Sequence, residues 1–193
     1  MIIKYGCAIL RPIEERDFEL LHFMINDPEI EYRTVGWSWP ISETQQHDYI
    51  RNFKNNDSHI KLMIELTNGK TIGMMSVDDI DWKNRTASWG IKISATFEDR
   101  IKGDTRDAII GLLDYLFNEL GMNCLHTRTL EDNIFSLKMK RYIPHHIEAV
   151  LRERVFKNGV YKNLVVDSTL RDEFNAKFRP ELVDTKQFSV EEG

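Results

Sequence analysis

Eleven residues in the middle of the chain, Glu98-Asp99-Arg100-Ile101-Lys102-Gly103-Asp104-Thr105-Arg106-Asp107-Ala108, place three cations around a single glycine. A strand-like run ends just before them, near Ser94, and a helix-like run continues from them to Leu120. A basic turn that feeds a helix offers unpaired backbone N–H groups and the positive end of the helix dipole, so it can cradle an anion such as a pyrophosphate. The same residues also read as a charged, solvated helix start. Two other groups are able to take a proton: the acidic cluster Asp78, Asp79 and Asp81, and His126. The plain accounts of these are a solvated loop and a packed or edge histidine. Tyr32, Arg33, Trp37 and Trp39 fall close together, and aromatic rings beside an arginine suit a sugar ring or an anionic group. They serve equally well to pack a helix connection.

The elements that must hold these residues follow from periodicity. Residues 7–12 read as a strand stopped by Pro12, and residues 13–26 carry Phe18, Leu21, Met24 and Ile25 at helical spacing. Asp27-Pro28 ends that helix, because the residue before proline is driven from the α region. Residues 31–40 read as irregular. Ser42-Glu43-Thr44-Gln45 is a capping-box pattern that starts a second helix running to about Asn55. Leu62, Ile64 and Leu66 then alternate, Asn68-Gly69 marks a hairpin, residues 72–77 return, and a third strand follows from Ala87 to Ile93. Gly90 inside that strand points to a bulge or a close approach by another backbone or a ligand. Gly121 stops the long helix, residues 124–129 form a strand, and Asp132 or Asn133 caps a helix to about Tyr142. Residues 147–156 and 160–170 flank Asn158-Gly159 as a last hairpin. The order β-α-α-β-β-β-α-β-α-β-β is not that of a doubly wound dinucleotide fold. It predicts an α+β domain over residues 1–172, with residues 173–193 a surface helix or tail.

With that order in place, the chain resembles the GNAT superfamily of acetyl-CoA-dependent N-acetyltransferases. The branch it looks most like holds ribosomal-protein N-terminal and amino-sugar acetyltransferases. The resemblance spans about residues 8–170. Arg100-Ile101-Lys102-Gly103-Asp104-Thr105 follows the family turn Arg/Gln-x-x-Gly-x-Gly/Ala except at Thr105, and Ala108 falls at the branch's helix alanine. Asn133 and Ser136 match an Asn-x-x-Ser, while Glu148 and Arg152 match a Glu-Gly-x-x-Arg-like stretch. The pattern departs at Asp104 and Thr105, at Pro144-His145 in place of Gly-Phe, and at Ser88 in place of a glutamate base.

The resemblance implies a mixed, mostly antiparallel sheet flanked by helices, with a splayed strand pair, residues 87–94 and 124–129, that admits acetyl-CoA. It implies that the backbone of Ile91, Lys92 and Ile93 and the turn Arg100, Ile101, Lys102, Gly103, Asp104 and Thr105 hold this co-substrate, with Asn133 and Ser136 along its pantetheine arm. Tyr32, Arg33 and Trp37 then shape the acceptor pocket. Direct acetyl transfer needs a proton acceptor for the amine, here Asp79 or His126, and a donor for the thiolate. Tyr142 is the candidate donor, two residues beyond the family's tyrosine position, which is Lys140 here. The expected reaction is transfer to a primary amine of a small molecule or amino sugar. The alternatives are a protein N-terminal amine, or a non-catalytic module that binds CoA or a partner protein.

Bulk properties bound this reading. A chain of 193 residues with 41% hydrophobic and 30% charged residues suits one soluble domain. The net charge of −5 gives no global attraction to nucleic acid or an anionic membrane. No apolar run approaches a membrane span, and the first residues lack a signal-peptide pattern. Cys7 and Cys124 have no metal-type spacing, and there is no phosphate loop of the Gly-Lys-Ser/Thr kind. The expectation is a cytoplasmic protein with a small-molecule or peptide amine partner, no nucleic-acid, membrane or metal partner, and a homodimer left open.

Overall fold

The computed structural model describes residues 2–36, 39–94 and 101–182. Eight strands form one sheet in the order β1-β2-β3-β4-β5-β6-β8-β7. β1 (Ile3–Tyr5) and β2 (Ala8–Arg11) make a hairpin at one edge, and β3 (Ile60–Leu66), β4 (Thr71–Asp81) and β5 (Thr86–Ile93) form the predicted antiparallel meander. β6 (Cys124–Leu130) runs parallel to β5, and the hairpin of β7 (His146–Lys157) and β8 (Val160–Leu170) completes the sheet.

Strict alternation in the meander gives the sheet two distinct faces. On one, Met75, Val77, Ala87, Trp89 and Leu125 pack under α4 (Asp104–Asp114). Its residues Ala108, Ile109, Leu112 and Leu113 are all at most 1% exposed, as the broad apolar stripe requires. The helix continues through a π turn, Tyr115–Glu119, where Leu120 N donates to Tyr115 O at 3.1 Å, and Gly121 ends it at φ +69. On the opposite face Leu21 of α1 (Phe18–Asn26) and Ile50 of α3 (Glu43–Asn52) pack on Met63, with Met74 beside it. The capping box at Ser42 and Gln45 forms as its spacing predicts. Buried Arg11 donates to Asp17 at 2.8 and 2.7 Å and to Glu65 at 2.6 Å, fixing the approach to α1 against the sheet.

The first turn of α4 is tied to the edge hairpin. Cys7 N donates to Asp107 Oδ2 at 3.0 Å, and a Cβ on Gly6 would lie 2.0 Å from that oxygen. Gly6 therefore serves the contact twice, by its φ of +54 and by its missing side chain.

Several expectations need correction. Residues 31–40 are not wholly irregular: Pro28–Arg33 is α2, because Asp27 caps it through Glu29 N and Ile30 N and proline suits the first turn. The bulge is not at Gly90, which pairs in register with Ser76; it lies in β4 between Asp78 and Asp81, with Asp79 at φ +52. The close backbone approach belongs to Gly73, where a Cβ would sit 2.1 Å from Lys92 O. Residues 171–178 form α6 (Arg171–Phe178), whose Phe174 is fully buried against Phe117, so this helix is part of the domain's core. Among the described residues no helix is long and apolar enough to cross a membrane.

Candidate active site

The site begins where two strands part. β5 and β6 pair at Thr86–Cys124, Ala87–Leu125 and Ser88–His126, and no further. Beyond that point β5 stays bonded to β4 as far as Ile93, and β6 stays bonded to β8 as far as Leu130. The edges of Trp89 to Ile93 and Thr127 to Leu130 thus diverge without a strand partner, which is the splay the resemblance implied.

A cavity of about 650 Å³ fills this gap. Its walls include Ile109, Thr127 and Met139 from the α4 side of the sheet and Lys61, Met74 and Ser76 from the α1–α3 side. Lining from both faces is available only because the strands separate. A smaller space of about 90 Å³ lies beside Ile91, Lys92, Ile93, Asn133 and Ser136.

On the α1–α3 face the strand register arranges side chains in rows. The first row runs Asp78, Ser88, His126, with His59 Nδ1 3.2 Å from Asp78 Oδ1. The second runs Lys61, Ser76, Gly90, and the third Met63, Met74, Lys92. Gly90 leaves the second row open, since a Cβ there would meet only Ser76 Oγ at 3.4 Å. Asp79 lines the same cavity and binds Arg128 at 2.6 Å. Burial pushes the His126 imidazole below its ordinary value of 6.5, Arg128 adds to that, and Asp79 opposes it. A histidine in this state is neutral at physiological pH and able to take a proton.

The described part of the turn before α4 holds its glycine in the left-handed region. Gly103 stands at φ +92 as the N-cap of an eleven-residue helix. Among the described residues the nearest atom to a Cβ built there is Asp107 Oδ1 at 4.0 Å. The buried Asp104 carboxylate accepts from Thr105 N and, at 3.0 Å, from Thr105 Oγ1. Thr105 is thereby folded back onto the helix start, and its amide is already engaged. Ile101, Lys102 and Gly103 complete the described part of the turn.

Asn133 does two things at once. Its Oδ1 accepts from Ser136 N at 3.1 Å, capping α5 (Ile134–Met139), and its Nδ2 donates to Arg33 O at 2.9 Å. It thus ties α5 to α2 at the cavity's edge.

Lys140 and Asp167 form a buried ion pair, and Thr127 Oγ1 donates to Asp167 at 3.0 Å. Lys140 lines the cavity. Burial pushes its ammonium down to about 8.

Of the residues singled out from the sequence, Asp79, Ile91, Lys92, Asn133, Ser136 and Arg33 line the cavity together, while His126 lines neither space and stands in register beside Ser88 at the point where the strands part. Tyr32 lines neither space; its hydroxyl accepts from Lys162 Nζ at 2.9 Å and donates to Asp132 at 3.3 Å. Tyr142 is 42% exposed and also lines neither, and Trp39 is 65% exposed. Arg100 and Trp37 lie outside the described residues. Sequence reasoning passed over Lys61, Ser76, Arg128 and the Lys140–Asp167 pair. The alternation that buries Leu62 and Ile64 under α4 already turns Lys61 and Met63 to the other face, and was the available signal for the first of these.

A splayed strand pair, a cavity through the sheet and an open glycine turn at a helix start define an acyl-CoA-dependent acetyltransferase fold. The sequence profile described as acetyltransferase (GNAT) domain matches residues 8–141, and the chain belongs to this family, whose co-substrate is acetyl-CoA. The SPbeta prophage-derived uncharacterized N-acetyltransferase YokL of Bacillus subtilis (strain 168) is 24% identical over 165 residues, covering 86% of this chain and 90% of the relative. Among solved structures, a spermidine N-acetyltransferase from Vibrio cholerae in complex with CoA and spermine aligns at a TM-score of 0.77 and 21% identity, covering 86% of this chain and 97% of that one. A GNAT-family acetyltransferase from Bacillus anthracis gives 0.76 at 16% identity, covering 90% and 100%. At these identities the structural likeness speaks to the fold alone.

Proposed function

We propose that this protein transfers the acetyl group of acetyl-CoA directly to the primary amine of a small molecule. The observation that carries the reading is the parting of β5 and β6 after Ser88 and His126, with a cavity open to both faces of the sheet. The turn from Arg100 to Thr105 would hold the pyrophosphate, with Gly103 giving backbone access. The unpaired edge of Ile91, Lys92 and Ile93, with Asn133 and Ser136, would hold the pantetheine arm. When bound, acetyl-CoA supplies an activated acetyl carbonyl. The β5 backbone N–H groups on the open edge are suited to polarise that carbonyl.

His126 accepts the amine proton, with Asp79 stabilising the imidazolium that forms and Arg128 orienting Asp79. Lys140 is the proton donor favoured by placement: it lines the cavity, whereas Tyr142 does not. The acceptor enters between α1–α3 and the sheet. Spermidine, the acceptor named for several solved neighbours, belongs in the test panel with amino sugars, amino acids and short peptides.

The test is calorimetric titration with acetyl-CoA, followed by thiol release over that panel. Binding in the micromolar range with amine-dependent release is expected. Binding without release from any amine would reduce the protein to a CoA-binding module, and absence of binding would overturn the reading altogether.

A further inference from the structure

The cavity walls carry the carboxylates of Glu31, Asp78 and Asp79 and the cations Arg33, Lys61, Lys92, Arg128 and Lys140. Pairing removes most of these charges from play. Glu31 is bound by Lys157, Asp79 by Arg128, Arg33 by Glu29 and Lys140 by Asp167, while Asp78 has only its contact with the His59 imidazole. Two cations are left without a carboxylate partner among the described residues, Lys61 and Lys92.

Both are oriented by the fold. Lys61 Nζ donates to Tyr49 Oη at 2.9 Å and lies 5.1 Å from the ring centroids of Tyr49 and Phe53. Its stem is thereby held against α3, while its remaining N–H groups stay available. The Lys92 ammonium makes no hydrogen bond or ion pair among the described residues. Burial, followed by repulsion from Lys61 and, more weakly, from Lys157, pushes its ammonium down, with Asp78 opposing. Two ammonium groups that repel across the cavity are an electrostatic cost that a ligand anion would reduce. Between them the second row presents only Ser76 and the missing side chain of Gly90, a polar floor with room above it.

We infer that the acceptor is a primary amine carrying a carboxylate, and that this carboxylate sits over Ser76 and Gly90 between the ammonium groups of Lys61 and Lys92. The inference rests on the acetyl-transfer reading above and specifies its acceptor. The first row, with Asp78 and His126, receives the amine. Successive rows on one face of a strand lie two residues apart, about 6.5 Å. An α-amino acid, whose amine and carboxylate share one carbon, is too short to reach from the proton-accepting row to the lysines. A straight-chain aminocarboxylate of four or five carbons spans it. A polyamine would bring further positive charge against the two free lysines.

The experiment compares glycine, β-alanine, 4-aminobutyrate and 5-aminopentanoate with their methyl esters and with spermidine. Thiol release and calorimetric binding are both read, on the unaltered protein and on Lys61→Met, Lys92→Met and Lys92→Arg. The acids are expected to exceed their esters by about tenfold to a hundredfold in kcat/KM, with the four- and five-carbon members best. Each lysine-to-methionine change, which keeps the apolar stem, should erase most of that preference through the acceptor KM. For Lys61→Met the KM for acetyl-CoA should move by less than about twofold. Lys92→Arg should retain the preference.

Better turnover of esters or spermidine overturns the inference, and so does a preference that survives both methionine variants. A parallel rise in the acetyl-CoA KM of Lys61→Met also overturns it, because that lysine would then be holding the co-substrate. If a variant does not fold, the acid–ester comparison on the unaltered protein decides by itself. Release with spermidine alone refutes the carboxylate site and leaves acetyl transfer intact. Lysine-dependent binding of aminocarboxylates without thiol release does the reverse.

Discussion

Replacing Gly103 separates backbone strain from crowding of the co-substrate. The residue stands at φ +92 and ψ −1, and the nearest atom to an added Cβ is 4.0 Å away, so nothing in the described chain clashes with a side chain there. The folded protein should lose only the left-handed backbone penalty, roughly 1–2 kcal/mol for alanine or valine. For a chain of this size that lowers Tm by about 2–8 °C. A phosphate drawn close to this backbone would meet the new Cβ directly. Loss of one charge-assisted contact costs about 1.5–3 kcal/mol, roughly 10- to 150-fold in Kd. Asparagine tolerates positive φ, so Gly103→Asn should recover most of the stability and none of the affinity. Titration with CoA and with pantetheine, which lacks the pyrophosphate, reads the difference. The valine and asparagine variants should weaken CoA and leave pantetheine binding nearly unchanged. CoA binding by either variant at the unaltered affinity would remove this turn from the site, as would an equal loss for pantetheine.

Two further outcomes test the cavity. Lys140→Met leaves the Asp167 carboxylate buried with only the Thr127 hydroxyl, and should cost about 3–5 kcal/mol of stability in urea unfolding. Adding Asp167→Leu should restore most of it, and simple additivity of the two changes would mean that the residues are not coupled. If His126 is the proton acceptor, its lowered value keeps the neutral form present through pH 6.5, and kcat/KM should fall only as pH drops below that point. His126→Gln should remove this acid limb, and an unchanged limb would assign it to another group.

The architecture was legible because its signals are local and repetitive. Alternation at Leu62, Ile64 and Leu66, the stripe from Ala108 to Leu120, the Ser42 box and the turn glycines each fix an element without reference to the rest. Gly90 left a bulge, a backbone approach and a ligand approach open, because a glycine in a strand has several physical uses. Here it opens a floor beside Ser76, while the close approach falls to Gly73 and the bulge to a stretch of aspartates. The cavity residues were harder to see. Lys61, Ser76 and Lys92 are 31 residues apart in the chain at their extremes and are gathered only by strand register. The Lys140–Asp167 pair joins a helix end to the far hairpin, and nothing near either residue announces the other.

The bond from Cys7 to Asp107 closes a loop of 100 residues. Closing so long a loop costs entropy that the contact alone does not offset, so it is expected to form after the meander and α4. β1 is three residues long and bonded on one side only, so its hairpin would fray if left to itself. Asp107 gives that edge its anchor at the first turn of α4, one turn from Gly103. Anything that orders the Gly103 turn will therefore slow opening of the N-terminal hairpin, and the Cys7 amide becomes a hydrogen-exchange reporter of events at the other end of the sheet's sequence.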